Sequence, residues 1–161
     1  LVEREGDSEA PGSDGLGPVT ELEPPSDDED AAQPEEDLPA GELHERAHTA
    51  LSQDLPKEAL ELCRRACEGE PDNPDYAASS LWIQAKLPRP DLKVLTLDLD
   101  DLLRTHLDHV AARYYRGVLR RRLSYDSAAK LDFERVLDLD PDHAGAKAQL
   151  AELSKGGGRR R

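Results

Sequence analysis

Residues 128–141 read AAKLDFERVLDLDP, and residues 58–71 read EALELCRRACEGEP. Both have the form Ala-x3-(Phe or Cys)-x2-(Val or Ala)-x4-Pro. Ala129, Phe133, Val136 and Pro141 carry it in one stretch, and Ala59, Cys63, Ala66 and Pro71 in the other. Steps of four and three residues return to the same face of a helix, so each stretch presents one apolar stripe. Proline cannot continue a helix, so it closes each unit. A chain that writes one helix twice has to be searched for a repeat.

The surrounding sequence keeps the helical period. Residues 42–52 (ELHERAHTALS) place Leu43, Ala47, Ala50 and Leu51 on one face, and residues 57–68 do the same with Leu60, Cys63, Ala66 and Cys67. Only QDLP separates these two segments, which predicts an antiparallel helical hairpin. Asn73 and Pro74 open a third helix, PDYAASSLWIQAKL, as N-cap and first helical residue. Pro88-Arg89-Pro90 ends it. Asp91 then caps a fourth helix with leucines at 92, 95, 99, 102 and 103. Within that helix VLTLDLD alternates as a strand would, but the longer leucine stripe outweighs the short window. A fifth helix covers about 109–123. The turn SYDS, with Asp126 as the expected cap, leads into a sixth. Asp140-Pro141-Asp142 closes that helix and is expected to cap a seventh, HAGAKAQLAELS, which stops at Lys155 and Gly156–Gly158. No segment of this body reads as a strand, so the expected class is all-α.

Setting Pro71 and Pro141 at position 32 of a unit of about 34 residues brings the two stretches into one frame. Ala47 and Gly117 fall at position 8, Ala59 and Ala129 at 20, Cys63 and Phe133 at 24, and Ala66 and Val136 at 27. Small residues at 8 and 20 let two helices cross closely, and a larger residue at 24 fills the space beside the crossing. This pattern resembles the tetratricopeptide (TPR) repeat. Residues 40–154 look like three such repeats, at about 40–73, 74–109 and 110–143, with a capping helix at 143–154. The middle copy is degenerate: it carries Leu81 at position 8, lacks the closing proline and is two residues long, with the excess placed in KLPRPD. The third departs by having Arg113 and Arg116 at positions 4 and 7, which are usually apolar. The resemblance implies an antiparallel helix-pair solenoid over residues 41–155.

It also implies a function: non-enzymatic binding of a protein or peptide along the concave groove lined by the first helix of each pair. Carried onto this chain, the groove positions give His44, His48, Leu51 and Ser52, then Ala78, Trp82, Ala85 and Lys86, then Tyr114, Val118, Arg121 and Arg122. The groove then has aromatic and apolar walls and a basic end, and aromatics and arginine are the usual anchors of an interface. Some TPR proteins hold acidic chaperone tails in a Lys/Asn clamp. Here His44 stands in place of that lysine and His48 in place of that asparagine, so the resemblance does not imply chaperone-tail binding. An acidic partner remains the expectation. The alternative is nucleic-acid binding through the arginine-rich helix 113–122 and Arg159–Arg161, with stacking on Trp82 or Tyr114. Arg113 and Arg116 are equally expected to pair with Asp132 and Glu134.

Charge separates the ends from the body. Residues 1–40 hold 14 acids and 1 base, whereas residues 41–161 hold 21 acids and 20 bases. The acidic segment also holds six of the twelve prolines and no aromatic residue, so it cannot bury enough apolar surface to offset backbone ordering. It is expected to be a disordered tail or linker, able to compete in cis for the basic end of the groove. Residues 156–161 are expected to form a flexible basic end. Ser26 precedes three acids as a phosphorylation site would, although an ordinary linker serine is the simpler reading. The body's net charge of −1 argues against backbone binding to nucleic acid. The sequence contains no methionine, which suits a processed start or a piece of a longer protein. No apolar run reaches the ~20 residues of a membrane span, and with only two cysteines the expected compartment is the reducing cytoplasm.

No nucleophile elbow, zincin motif or phosphate loop occurs, so no catalytic residue is expected. Two site readings need the structure. His44-x3-His48 with Cys63-x3-Cys67 makes a two-His, two-Cys set, but the repeat frame turns the cysteines inward and the histidines outward, so no metal or cofactor is expected. Asp138, Asp140 and Asp142 begin as a calcium loop does, yet His143 stands where glycine is needed and Gln149 where glutamate is needed. Asp98, Asp100 and Asp101 are expected on the solvent side of the leucine stripe.

Overall fold

The computed structural model describes residues 38–156. The readings for the acidic segment, Ser26 and Arg159–Arg161 therefore lie outside the described residues. Seven helices and no strand occur among them: α1 (Ala40–Ser52), α2 (Pro56–Gly69), α3 (Pro74–Gln84), α4 (Leu92–Thr105), α5 (Val110–Arg122), α6 (Asp126–Leu139) and α7 (Ala144–Gly156). They pair as hairpins α1/α2, α3/α4 and α5/α6, followed by α7.

The core explains why one hairpin would not suffice. It divides into three clusters, and each straddles a hairpin and the helix after it. Leu43, Ala47, Leu62 and Cys63 of the first pair are closed by Tyr76 and Ile83 of α3. Leu95, Leu99 and Leu103 of α4 pack with Ala112 and Leu119 of α5. Phe133 and Val136 of α6 pack with Ala146 of α7. Each pair thus completes its burial on its neighbour, the arrangement of a solenoid. Ala47, Ala59, Cys63, Ala66, Ala129, Phe133 and Val136 are all at 0% exposure, while Pro71 and Pro141 lie in exposed turns between pairs. Full burial of a side chain such as Phe133 contributes about 1.5–3 kcal/mol.

Gly117 shows how tight the crossing is. A Cβ added there would sit 2.7 Å from Cε1 of Phe133 and 3.1 Å from Cβ of Asp132. The hairpin turns of the first and third pairs are the same structure. Asp54 and Ser124 both adopt left-handed backbone, with φ of 61° and 64°. The next amide then reaches back over the helix end, from Leu55 to the carbonyl of Ala50 and from Tyr125 to that of Arg120.

The middle pair differs as its insertion predicts, with one correction. The third helix stops at Gln84, short of the expected Leu87. Pro88 disfavours helical backbone in the residue before it. Lys86 and Leu87 accordingly donate to Ile83 and Gln84, in tighter turns of the i to i−3 kind. Caps also need two corrections. Asn73 and Asp91 cap α3 and α4 as expected, accepting from Asp75 N and from Lys93 N and Val94 N. Asp126 does not cap α6, because it is already that helix's first residue and Tyr125 precedes it without a side-chain cap. Asp142 does not cap α7 either; Nδ1 of His143 accepts from Ala146 N at 3.1 Å. Nδ1 of His109 accepts from Ala112 N at 3.0 Å in the same way. The imidazole cap is thus itself repeated.

Candidate peptide-binding surface

The first helices of the pairs are tied side by side through polar and aromatic side chains. Nε2 of His44 on α1 lies 2.9 Å from Oγ of Ser79 on α3. Trp82 on α3 stacks on Tyr115 on α5, with ring centroids 4.7 Å apart and planes 7° from parallel. Arg122 on α5 donates to the carbonyl of Ala85 at 2.9 Å. Arg121 on α5 donates to Gln149 on α7 at 2.5 Å. These links make α1, α3, α5 and α7 one continuous surface.

Most of the predicted groove residues lie on it. His44 and His48 are adjacent, with Nε2 atoms 3.2 Å apart and ring centroids 4.6 Å apart. Burial and the neighbouring His48 hold the His44 pKa below the ordinary imidazole value, against an opposing pull from Asp75 and Glu45. Lys86 sits with Nζ 4.2 Å from the centroid of the Trp82 ring, a cation–π contact. Val118 is half-buried against the third core cluster. Two positions are corrections: Ala85 at 2% and Ala78 at 0% exposure belong to the second core cluster, and Ala78 offers no surface to a partner. Its helix, α3, is packed from both sides, so a position that faces outward in an end repeat is covered in the middle one.

Tyr114 is more constrained than expected. Its ring lies 4.6 Å from that of His143 and 5.9 Å from that of Phe133, and a Cβ at Gly145 would meet its hydroxyl at 2.7 Å. With Tyr115 on Trp82 and α7 against Tyr114, neither of the two predicted stacking platforms presents an unencumbered ring.

The other arginines of α5 turn the opposite way, toward the second helices. Arg116 bonds Asp132 on α6 at 2.5 and 3.2 Å and Asp100 on α4 at 2.7 Å. Arg120 bonds the same two carboxylates, at 2.9 and 3.0 Å. The Asp132 side chain is only 3% exposed. Burial lowers the Arg116 pKa, but its bonds to Asp132 and Asp100 outweigh this and leave it above the ordinary value. The expectation for Asp132 therefore stands for Arg116. Three parts of the reading are corrected: Glu134 pairs with Lys130, Asp100 is inside the network and not merely solvated, and Arg113 donates to the carbonyl of Leu107. Burial and nearby Arg116 lower the Arg113 pKa. Sequence reasoning did not single out Ser79 or Tyr115, and named Gln149 only as a departure from a calcium loop. Each is ordinary in type, and only the docking of successive hairpins gives it a role.

The cysteines face inward. The thiol of Cys63 is fully buried, donates to the carbonyl of Tyr76, and is pushed up to about 12 by burial and by Cys67. Among the described residues no group of three or more His, Cys, Asp or Glu converges, and no helix is long and apolar enough to cross a membrane.

Solved structures with this arrangement are TPR domains. The chain is similar to the first TPR domain of human RPAP3, at 24% identity and a TM-score of 0.64, over 74% of this chain and 92% of that one. It is similar to the first TPR of Spaghetti (RPAP3) bound to an HSP90 peptide, SRMEEVD, at 24% identity and a TM-score of 0.62, over 74% and 93%. The Arabidopsis OM64 TPR domain follows at 20% identity and a TM-score of 0.62, over 73% and 95%. No family model matches the sequence, and no curated protein does. The chain has the tetratricopeptide-repeat fold.

Proposed function

We propose that this chain is a non-enzymatic adaptor that binds a peptide segment of a partner protein along the first-helix surface. Acidic groups of that peptide are placed at Lys86, Arg121 and Arg122. One observation carries the reading. Arg116 and Arg120 each bond two carboxylates, whereas no carboxylate within salt-bridge distance serves Lys86, Arg121 or Arg122 among the described residues. Lys86 lies over the Trp82 ring, Arg122 donates to the neighbouring Ala85 carbonyl and Arg121 donates to Gln149 on α7, so the cations are spread along the first-helix surface from α3 to α7. Arginine grips carboxylates in a bidentate manner, and an aromatic wall supplies apolar contact beside it. The HSP90 peptide of the Spaghetti structure, SRMEEVD, is itself acidic. This supports the class of ligand. His44 and His48 at the other end of the surface differ from a Lys/Asn clamp and leave the partner's identity open.

Partner capture from cell extract by the full chain tests the reading, beside Trp82→Ala and Arg121→Glu/Arg122→Glu variants. The expected result is a partner lost from both variants. A partner retained equally by all three overturns it. The acidic segment, with 14 acids and 1 base in residues 1–40, has the charge that such a surface would attract. Deleting residues 1–37, which spares the buried Leu38 and the start of α1, is expected to raise affinity for an acidic peptide at low salt, and no change rules out competition in cis.

A further inference from the structure

The second helices leave apolar side chains uncovered, away from the peptide surface. Helices α2, α4 and α6 each have 14 residues and can be compared position by position. The sixth residue is Glu61 in α2, Leu97 in α4 and Leu131 in α6. All three are exposed, the leucines at 61% and 67%. A register that carries a charge in the first pair thus carries an apolar side chain in the next two. Val94, one turn before Leu97, and Tyr125, just before α6, are exposed as well. Clustered exposed apolar surface of this kind marks a binding site, whereas single exposed residues do not.

A cavity of about 430 Å3 opens here, between α4 and α6 and over the end of α5. Leu97, Leu123, Tyr125 and Ala128 supply its apolar walls. Small-molecule sites have volumes of about 300–1,000 Å3 and combine such walls with a few polar groups. Three charged residues also line the cavity: Lys93, Asp100 and Arg120. Two of them are committed within the fold. Asp100 accepts from Arg116 and Arg120, and Arg120 also bonds Asp132. Lys93 differs, since among the described residues no carboxylate lies within salt-bridge distance of it. One such ammonium balances one negative charge, and nearby Asp100 disfavours a second. A phosphate monoester, at about −1.5 to −2 charges, suits that balance less well than a carboxylate.

We propose that this cavity binds a small monocarboxylic acid with an apolar body. The body lies among Leu97, Leu123 and Tyr125, and the carboxylate meets Lys93. Water against apolar walls is poorly held, and its displacement by an apolar group favours binding. The site shares no residue with the surface proposed for the peptide, so the two readings stand or fall separately.

Calorimetric titration of the full chain with cinnamate tests the proposal, with cinnamyl alcohol as the uncharged counterpart. The wild type is expected to bind one cinnamate per chain saturably and to bind the alcohol more weakly. Lys93 is exposed, so Lys93→Gln leaves the fold intact. It is expected to weaken cinnamate binding about fivefold, the scale of one exposed ion pair, and to leave the alcohol unaffected. Leu97→Asp, also at an exposed position, puts a negative charge in the wall and is expected to bind neither. Arg121→Glu/Arg122→Glu, on the peptide surface, is expected to bind cinnamate as the wild type does. The proposal is overturned by absence of saturable binding, by unchanged affinity in Lys93→Gln or Leu97→Asp, or by loss of binding in the arginine variant. A wild type that dimerises in light scattering and takes up no cinnamate, beside a monomeric Leu97→Asp, also overturns it and assigns the apolar patch to a second copy of the chain.

Discussion

Helix α5 carries five arginines, and those facing the second helices live differently from those facing the first. Arg116 and Arg120 are held between Asp100 and Asp132, with side-chain exposures of 13% and 21%. Arg121 and Arg122 sit one and two residues further on, and their bonds go to an amide and a carbonyl. The first set replaces apolar packing between hairpins with ionic packing. Its charges are neutralised within the fold and have little left to offer a partner. The second set keeps its charge available, because amide and carbonyl oxygens satisfy hydrogen-bonding geometry without cancelling charge. A count of arginines on this helix therefore overstates its use as a binding surface.

The sharpest way to break this contrast is to remove the shared acid. Asp132→Ala leaves two guanidinium groups facing a buried gap, and removal of one partner from a buried ion pair costs about 3–5 kcal/mol. The partial exposure of Arg116 and Arg120 places the expected loss near the lower end, about 3 kcal/mol in urea denaturation. Asp100 is 31% exposed and is screened by water, so Asp100→Ala is expected to cost only about 1 kcal/mol. Equal losses at the two positions would show that burial does not set the strength of this network.

The next effect comes from the glycine that brings the network together. Gly117 lies one residue beyond Arg116, and its bare Cα lets α6 approach until Phe133 and Asp132 are in contact with it. Gly117→Ala forces α6 outward. A helical alanine recovers up to about 1 kcal/mol of propensity, but overpacking a tight site costs about 1–3 kcal/mol. Net destabilisation of about 1 kcal/mol is expected in the same denaturation experiment. A stabilised variant would mean that Phe133 rotates away freely and that the close crossing is not required.

How much of this was legible beforehand depends on whether a residue acts within its own hairpin or across two. Ala47, Ala59, Cys63, Gly117, Ala129 and Phe133 recur at fixed positions because every hairpin must solve the same crossing problem. The fold could therefore be read from two stretches seventy residues apart. The ionic network left half a signal. Asp132 and Arg116 both depart from the apolar pattern of the same repeat, and opposite charges doing so together point to each other. Asp100 gave no such signal, since its place depends on how α4, which follows an irregular seven-residue connection from α3, docks against α5. The same limit explains Ala78 and Tyr114. Alone, each repeat position predicts an outward side chain, but a neighbouring helix covers it. The His44–His48 spacing was visible as a helical pair, whereas Ser79 across the interface was not.

The smallest expected effect on stability belongs to the second arginine set, and its smallness is what separates the two. Arg121→Ala and Arg122→Ala each remove a partly exposed hydrogen bond and no carboxylate contact. Arg122 is exposed and Arg121 half-buried, so stability is expected to stay within about 0.5 kcal/mol of the wild type. Affinity for an acidic peptide should nonetheless fall, since neither charge is bonded to a carboxylate of the fold. Measured together, urea denaturation and peptide binding give opposite orders for the two sets: Asp132→Ala unfolds the chain readily, whereas Arg121→Ala and Arg122→Ala impair binding in a chain as stable as before. A stability loss at Arg122 comparable to that at Asp132 would mean that its bond to Ala85 clamps α5 to α3. The residue would then be part of the scaffold, leaving Lys86 and Arg121 to meet the partner.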